Sequence, residues 1–252
     1  SRGCHLAISD MNTEGLDKTA EMLKNRGGSV SSHILDVSDK KAIYAFADDV
    51  VNFHGSVNIL INNAGVSMIA GITDMGIEDF EWIMNINFWG VVYGTFAFLP
   101  YLKQSEEGHI VNLSSLYGLM GIPTQSAYNA SKFGIRGFTE SLRMEFEMFN
   151  SNISTTSVHP GGVRTNIVSN GKILTQKGLF ANPQKGAKIM EANFGTTPDE
   201  AAQKIVNGII KNKHRVLIGK DAIFLDKLQR LFPSAHQRYI VSGIKKLFLD
   251  RK

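Results

Sequence analysis

Ser114-Ser115-Leu116-Tyr117-Gly118-Leu119-Met120-Gly121-Ile122-Pro123-Thr124-Gln125-Ser126-Ala127-Tyr128-Asn129-Ala130-Ser131-Lys132 is the stretch whose reading decides the fold. It leaves an apolar run, His109 to Leu113, that has the character of a buried strand, and it enters a segment with helical periodicity over 126–149. Tyr128 and Lys132 are four residues apart, so on a helix they share one face with side-chain bases about 6 Å apart. A cation at that range favours the phenolate and is expected to lower the tyrosine from its free pKa near 10. Tyr128 is thereby a candidate proton donor and acceptor. Ser115, at the strand's end, can aim its hydroxyl at the same place. The plain alternative is a half-buried ring beside a solvated charge, and a lone tyrosine–lysine pair does not decide between them.

Working outward, apolar strands alternate with helices. Strands are expected at 2–9, 30–35, 57–61, 109–113, 153–158 and 215–218. Helices are expected at 13–26, at 38–53 with Ser38 as cap, and at 78–103, 126–149 and 199–211. Six strands in that alternation indicate repeated βαβ units and a parallel sheet covered on both faces, a doubly wound α/β domain. Ligands in such sheets bind beyond the carboxyl ends of the strands. Asp10, Asp36, the Asn62-Asn63-Ala64-Gly65 run, Ser115 and Pro160-Gly161 all fall at such ends. Turn-forming residues collect there for conformational reasons too, so the clustering alone is only a pointer.

Taken in order, Asp36-Val37, Asn62-Asn63-Ala64-Gly65, Asn87 in Asn-Ile-Asn-Phe-Trp-Gly, Ser115, Tyr128-Asn-Ala-Ser-Lys132 and Pro160-Gly-Gly-Val-Arg-Thr165 resemble the short-chain dehydrogenase/reductase family. The matches span roughly residues 1–220. The resemblance implies a Rossmann-like fold and an NAD(P)-dependent oxidoreductase acting on CH–OH groups. It implies Tyr128 as general acid/base, Lys132 as the group that lowers its pKa and holds the nicotinamide ribose, and Ser115 as hydrogen-bond partner of the substrate oxygen. Asn87 is implied as holder of a proton-relay water, with Asn85 as its decoy. Asn63, Ala64 and Gly65 are expected against the adenosine side, and Asp36 and Val37 beside the adenine. Pro160, Gly161, Val163 and Thr165 are expected at the nicotinamide end. A carboxylate at Asp10 accepts from ribose hydroxyls and repels a 2′-phosphate, which points to NAD in preference to NADP. A homo-oligomer, dimer or tetramer, is also implied. No metal is expected.

One part of the pattern is missing. The family opens with a strand, a glycine-rich turn and a helix that cradle the pyrophosphate, and the sequence begins at what reads as the second strand. The absent first strand would lie mid-sheet, between the strands near 4–8 and 57–61. The expectation is a fragment lacking about 30–40 upstream residues, the length of a βα unit. The missing loop also keeps open an inactive relative that serves as a binding or scaffolding module.

The chain's 252 residues and 27.8 kDa suffice for one large domain. No apolar run of membrane-spanning length and no secretory leader is read in the sequence. A single cysteine, Cys4, excludes an internal disulfide framework, fits a reducing, cytoplasmic compartment, and is expected to be buried and inert. The net charge of +4 is carried by the tail, where eight Lys/Arg stand against three Asp from residue 220 onward. That composition is not one of nucleic-acid binding. The basic extension, 221–252, carries apolar stripes at Phe224, Leu225, Leu228, Leu231 and at Ile240, Ile244, Leu247, Phe248. They suit either a peripheral contact with an anionic membrane or, the commoner use, packing over the pocket or in an oligomer. By the same resemblance, residues 165–197 hold the position of the family's variable substrate lid; they are polar and flexible, with interspersed apolar side chains. With Met68, Ile69, Leu116, Tyr117, Leu119 and Met120 they suggest a lipophilic alcohol or ketone substrate.

Overall fold

Parallel strands flanked by helices on both faces make up the computed structural model, which describes residues 3–24 and 27–248. In chain order the elements are β1 (Leu6–Asp10), α1 (Thr13–Leu23), β2 (Val30–Ile34), α2 (Lys40–His54), β3 (Ile59–Asn62), β4 (Met68–Ile69), α3 (Ile77–Met84), α4 (Gly90–Leu102), β5 (Gly108–Leu113), α5 (Ser126–Met148), β6 (Ile153–Pro160), β7 (Lys172–Ile173), α6 (Pro183–Ala192), α7 (Pro198–Ile210), β8 (Arg215–Ile218), α8 (Lys220–Leu231) and α9 (His236–Phe248). A π turn, Asn85–Trp89, joins α3 to α4.

The main sheet runs β3-β5-β6-β8, all parallel. Its carboxyl ends lie level: Asn62 is opposite Asn112, Leu113 opposite Val158, and Pro160 opposite Ile218. Side chains of a strand alternate between faces, and β5 shows both uses. Ile110 joins Ile43, Ala47 and Val50 of α2 and Phe98 and Leu102 of α4. Val111 and Leu113 pack on the other side with Val158, Val216 and Ala201 of α7. This two-sided cover is the physical content of the doubly wound expectation.

Among the described residues, β1 and β2 pair only with each other. The opposite edge, β3, leaves Ile59 and Ile61 nearly half exposed. These strands thus form two separate parallel sheets, β1-β2 and β3-β5-β6-β8, among the described residues.

Several local expectations need correction. Cys4 is exposed, because β1 begins only at Leu6. Asp39, not Ser38, caps α2: its carboxylate accepts from the Lys41 and Ala42 amides, while the Ser38 hydroxyl donates to Asp36. The 165–197 segment, expected as a flexible lid, is fastened at several points. β7 pairs with β4, Ser67 donates to the Ile167 carbonyl, and Lys172 meets Asp79 at 2.7 Å. Helix 77–102 is long and apolar enough to cross a membrane by length and composition, although no single apolar run in it is. Here it packs on the core through Ile83, Val91, Ala97, Phe98 and Leu102. Ala222, Leu225 and Ile240 pack against Leu116, Leu119 and Met120, so the inner side of the tail covers the loop after β5. Its Phe224, Leu231 and Tyr239 stay exposed. The expected stripe members Leu247 and Phe248 lie outside the residues whose side chains are described.

Candidate active site

Three elements converge at the carboxyl end of β5: the loop it feeds, the first turns of α5, and the π turn. Ser115 is the last extended residue before a short 3₁₀ turn, Leu116–Gly118, and its hydroxyl accepts from the Tyr117 amide at 3.1 Å. Tyr128 and Lys132 are both buried on α5, with the Lys132 ammonium 5.6 Å from the Tyr128 ring centre. Tyr117 packs edge-on against Tyr128 at 5.8 Å. The sequence thus brings Ser115, Tyr128 and Lys132 together as expected.

The electrostatics differ from the expectation. Burial pushes Tyr128 up to about 12; a hydrogen bond with Ser115 pulls it down, and Tyr117 adds to the rise. Burial likewise pushes Lys132 down to about 8. Desolvation disfavours the charged form of each group, and at Tyr128 it outweighs the Ser115 hydrogen bond. Tyr128 is therefore protonated at neutral pH, and Lys132 donates to the Leu113 carbonyl at 2.9 Å.

Asn87 is fully buried in the π turn, whereas Asn85 is exposed. The Asn87 amide accepts from Val66 N–H at 2.8 Å and donates to the Val66 carbonyl at 3.0 Å and to Ser131 at 3.2 Å. The extra residue of a π turn redirects a side chain from the regular helical row, and this one fastens the Gly65–Val66 segment. A Cβ on Gly65 would lie 3.1 Å from Asn87 Oδ1 and 3.5 Å from Lys132 Nζ. Gly65 thus leaves a narrow space beside the ammonium, as a closely approaching ligand needs.

Asp10 ends β1 exposed, its carboxylate accepting from the Asn12 amide at 2.8 Å. Asp36 is turned toward Ser38, accepting from its amide and hydroxyl, and Val37 packs on Gly90 and the core side of α4. Asn63 and Ala64 are exposed beyond β3. Pro160 ends β6 and Gly161 follows it, with Gly161 N–H donating to the Ile218 carbonyl and Gly162 N–H to Asp221 at 2.7 Å. Val163 bridges to Thr196, and Thr165 is exposed.

Sequence reading passed over several residues that brace this site. Asn129 accepts from the Ile122 amide and donates to the Tyr117 and Met120 carbonyls, closing the loop between β5 and α5. Ser114 donates to the Lys132 carbonyl, and Asn62 reaches Asn112, which reaches Thr139. Asn129 lay inside the quoted motif, but its loop partners are not visible from helical spacing. Met68, Ile69, Leu116, Leu119 and Met120, expected to line an open pocket, are almost fully buried. Met68, Ala70 and Leu174 pack in one cluster with Tyr128, so the phenol stands in an apolar wall.

Comparison with known proteins gives one answer. The family model "short chain dehydrogenase" matches residues 1–173. A Mycobacterium tuberculosis protein named "Putative oxidoreductase SadH" is 41% identical over 244 residues, covering 96% of this chain and 87% of its own. "Dehydrogenase/reductase SDR family member 7B" of Xenopus tropicalis is 31% identical, with 97% of this chain and 79% of its own covered. A Burkholderia phymatum short-chain dehydrogenase/reductase solved in complex with NAD superposes with a TM-score of 0.82 at 23% identity, over 92% of this chain and 86% of its own, a likeness of fold.

Proposed function

The chain belongs to the short-chain dehydrogenase/reductase family, and from that premise we propose that it interconverts a lipophilic secondary alcohol and its ketone, with NAD(H) as cofactor and Tyr128 as general acid/base. The observation that carries the reading is the buried convergence of Ser115, Tyr128 and Lys132 at the carboxyl end of β5.

The residues present fit a nicotinamide dinucleotide at its ribose ends. Gly65 leaves room beside Lys132, Asp10 offers an exposed carboxylate at the strand end for ribose hydroxyls, and Pro160 to Thr165 border the other side. A bound nicotinamide supplies or receives the hydride. Everything else falls to the chain's own side chains. In the reductive direction the Tyr128 hydroxyl, kept protonated at neutral pH by its raised pKa, donates to the substrate oxygen; that pKa makes it a weak acid, so the proton moves only as negative charge builds on that oxygen. Ser115 hydrogen-bonds the same oxygen and stabilises the charge that develops on it. Lys132, ionised below about pH 8, holds positive charge beside the phenolate left behind. In oxidation Tyr128 must first lose its proton, and a pKa near 12 opposes that. Positive charge arriving with the cofactor and Lys132 together would lower it. The apolar wall of Met68, Ala70 and Leu174 around Tyr128 favours a substrate with an apolar body.

Thermal unfolding of the full chain with NAD and with NADP, followed by an NADH fluorescence assay over a ketone panel, tests the reading. A rise in Tm with NAD of several degrees at saturating ligand, and a smaller one with NADP, is expected. No stabilisation by either nucleotide contradicts it and returns the weight to a binding or scaffolding role.

A further inference from the structure

His159 is fully buried near the end of β6, directly before Pro160 and Gly161. Its Nδ1 lies 3.0 Å from the Ser115 carbonyl oxygen and its Nε2 2.9 Å from the Ser157 hydroxyl. A carbonyl oxygen can only accept, so Nδ1 carries the proton and donates it. In the neutral ring Nε2 then accepts from the Ser157 hydroxyl, and the imidazole is held at both ends. Its surroundings keep it neutral: burial lowers its pKa to about 4, against the pull of the Ser115 carbonyl, with Arg215 and Arg136 lowering it further and Glu140 raising it.

The Ser115 carbonyl takes a second hydrogen bond, from Gly118 N–H at 3.0 Å. Both of its lone pairs are thus used, and the peptide plane that follows Ser115 is fixed where the extended strand turns into the 3₁₀ turn. Fixing that plane fixes the Ser115 Cα, and with it the direction of a hydroxyl that hydrogen-bonds Tyr128. We infer that His159 is a positioning residue, whose Nδ1–H holds the Ser115 backbone so that its hydroxyl stays aimed at Tyr128, tying that loop to the Pro160–Gly161 turn on the neighbouring strand. It is not a proton carrier.

A buried histidine that merely fills space would show no preference for which nitrogen is kept. Asn at 159 can present an amide N–H near the place of Nδ1, whereas Gln reaches nearer to Nε2 and Leu supplies neither. The test compares His159→Asn, His159→Gln and His159→Leu in the full chain by two measurements. The first is amide hydrogen exchange over residues 114–119 without ligand. The second is NADH-dependent reduction of acetophenone and 2-octanone, an arm that rests on the proposed dehydrogenase activity. Exchange in His159→Gln and His159→Leu is expected to rise about tenfold, the size of one lost buried hydrogen bond, and to stay near wild type in His159→Asn. The kcat is expected to fall by roughly tenfold or more in the first two at unchanged KM, and to be largely restored by Asn. A pH–rate profile of the wild type without an inflection near 6.5 is expected, since the ring does not titrate there. Unchanged exchange in the Gln and Leu variants, or an Asn variant no better than Leu, overturns the inference; so does faster exchange with kcat intact. If the wild type reduces neither ketone, the proposed reaction on such substrates fails by itself, and the exchange comparison alone decides the role of His159.

Discussion

Lys132 is a buried cation whose carbonyl partner, the Leu113 oxygen, only partly replaces water. Its pKa is about 8 in the folded protein and near the ordinary 10.5 in the unfolded chain. Between those values the unfolded chain binds more protons, so this residue's contribution makes stability rise with pH. Below pH 8 the full cost of the buried charge is present; above 10.5 it is gone. Wild-type stability minus that of Lys132→Met is therefore expected to climb between pH 8 and 10.5, by up to about 3 kcal/mol, in denaturant unfolding at matched pH. A difference that is flat with pH contradicts the buried, depressed ammonium. The helical spacing of Tyr128 and Lys132 was legible in the sequence, and so was their shared face. The sign of the tyrosine's shift was not, because spacing reports how near the charge is and says nothing of how much water both groups lose.

At the scale of elements, α5 does two jobs. One face holds Tyr128 and Lys132, and Asn129 turns back to tie the loop from β5 by three hydrogen bonds. Replacing Asn129 by Ala leaves two buried carbonyls and one amide without their partner. A loss of about 2–4 kcal/mol in denaturant unfolding is expected, with a lower kcat from a loosened Ser115 loop. A loss under about 0.5 kcal/mol would mean that the loop is held by its 3₁₀ turn and apolar packing alone. Element types were legible because apolar periodicity survives in single segments, as in β5, whose six residues are all buried. Asp39 displaced Ser38 as the cap of α2 because Asp36 engages the Ser38 hydroxyl, a competition no cap preference reports. The partners of Asn129 belong to loop geometry, and the Ser115 carbonyl that His159 holds lies 44 residues away in the loop after β5, so neither role could be read from its own neighbourhood.

For the molecule as a whole, the parallel order β3-β5-β6-β8 brings Asn62, Leu113, Pro160 and Ile218 to one edge, and that edge gathers side chains from residues 65 to 161 into one site. The alternation of strands and helices made this architecture legible. In the segment from 165 to 197 the polar composition hides the contacts that fasten it: β7 on β4, Lys172 on Asp79, and Glu191 accepting from the amides of Val168 and Ser169. The proposed reaction turns on a single proton, the one on the Tyr128 hydroxyl. The most direct measurement is the rate of NADH oxidation by the full chain on its best ketone, wild type against Tyr128→Phe, with Tm recorded for both. The account predicts a fall of roughly a hundredfold or more with the Tm within a few degrees. A Phe variant that keeps the wild-type rate would show that the proton comes from elsewhere.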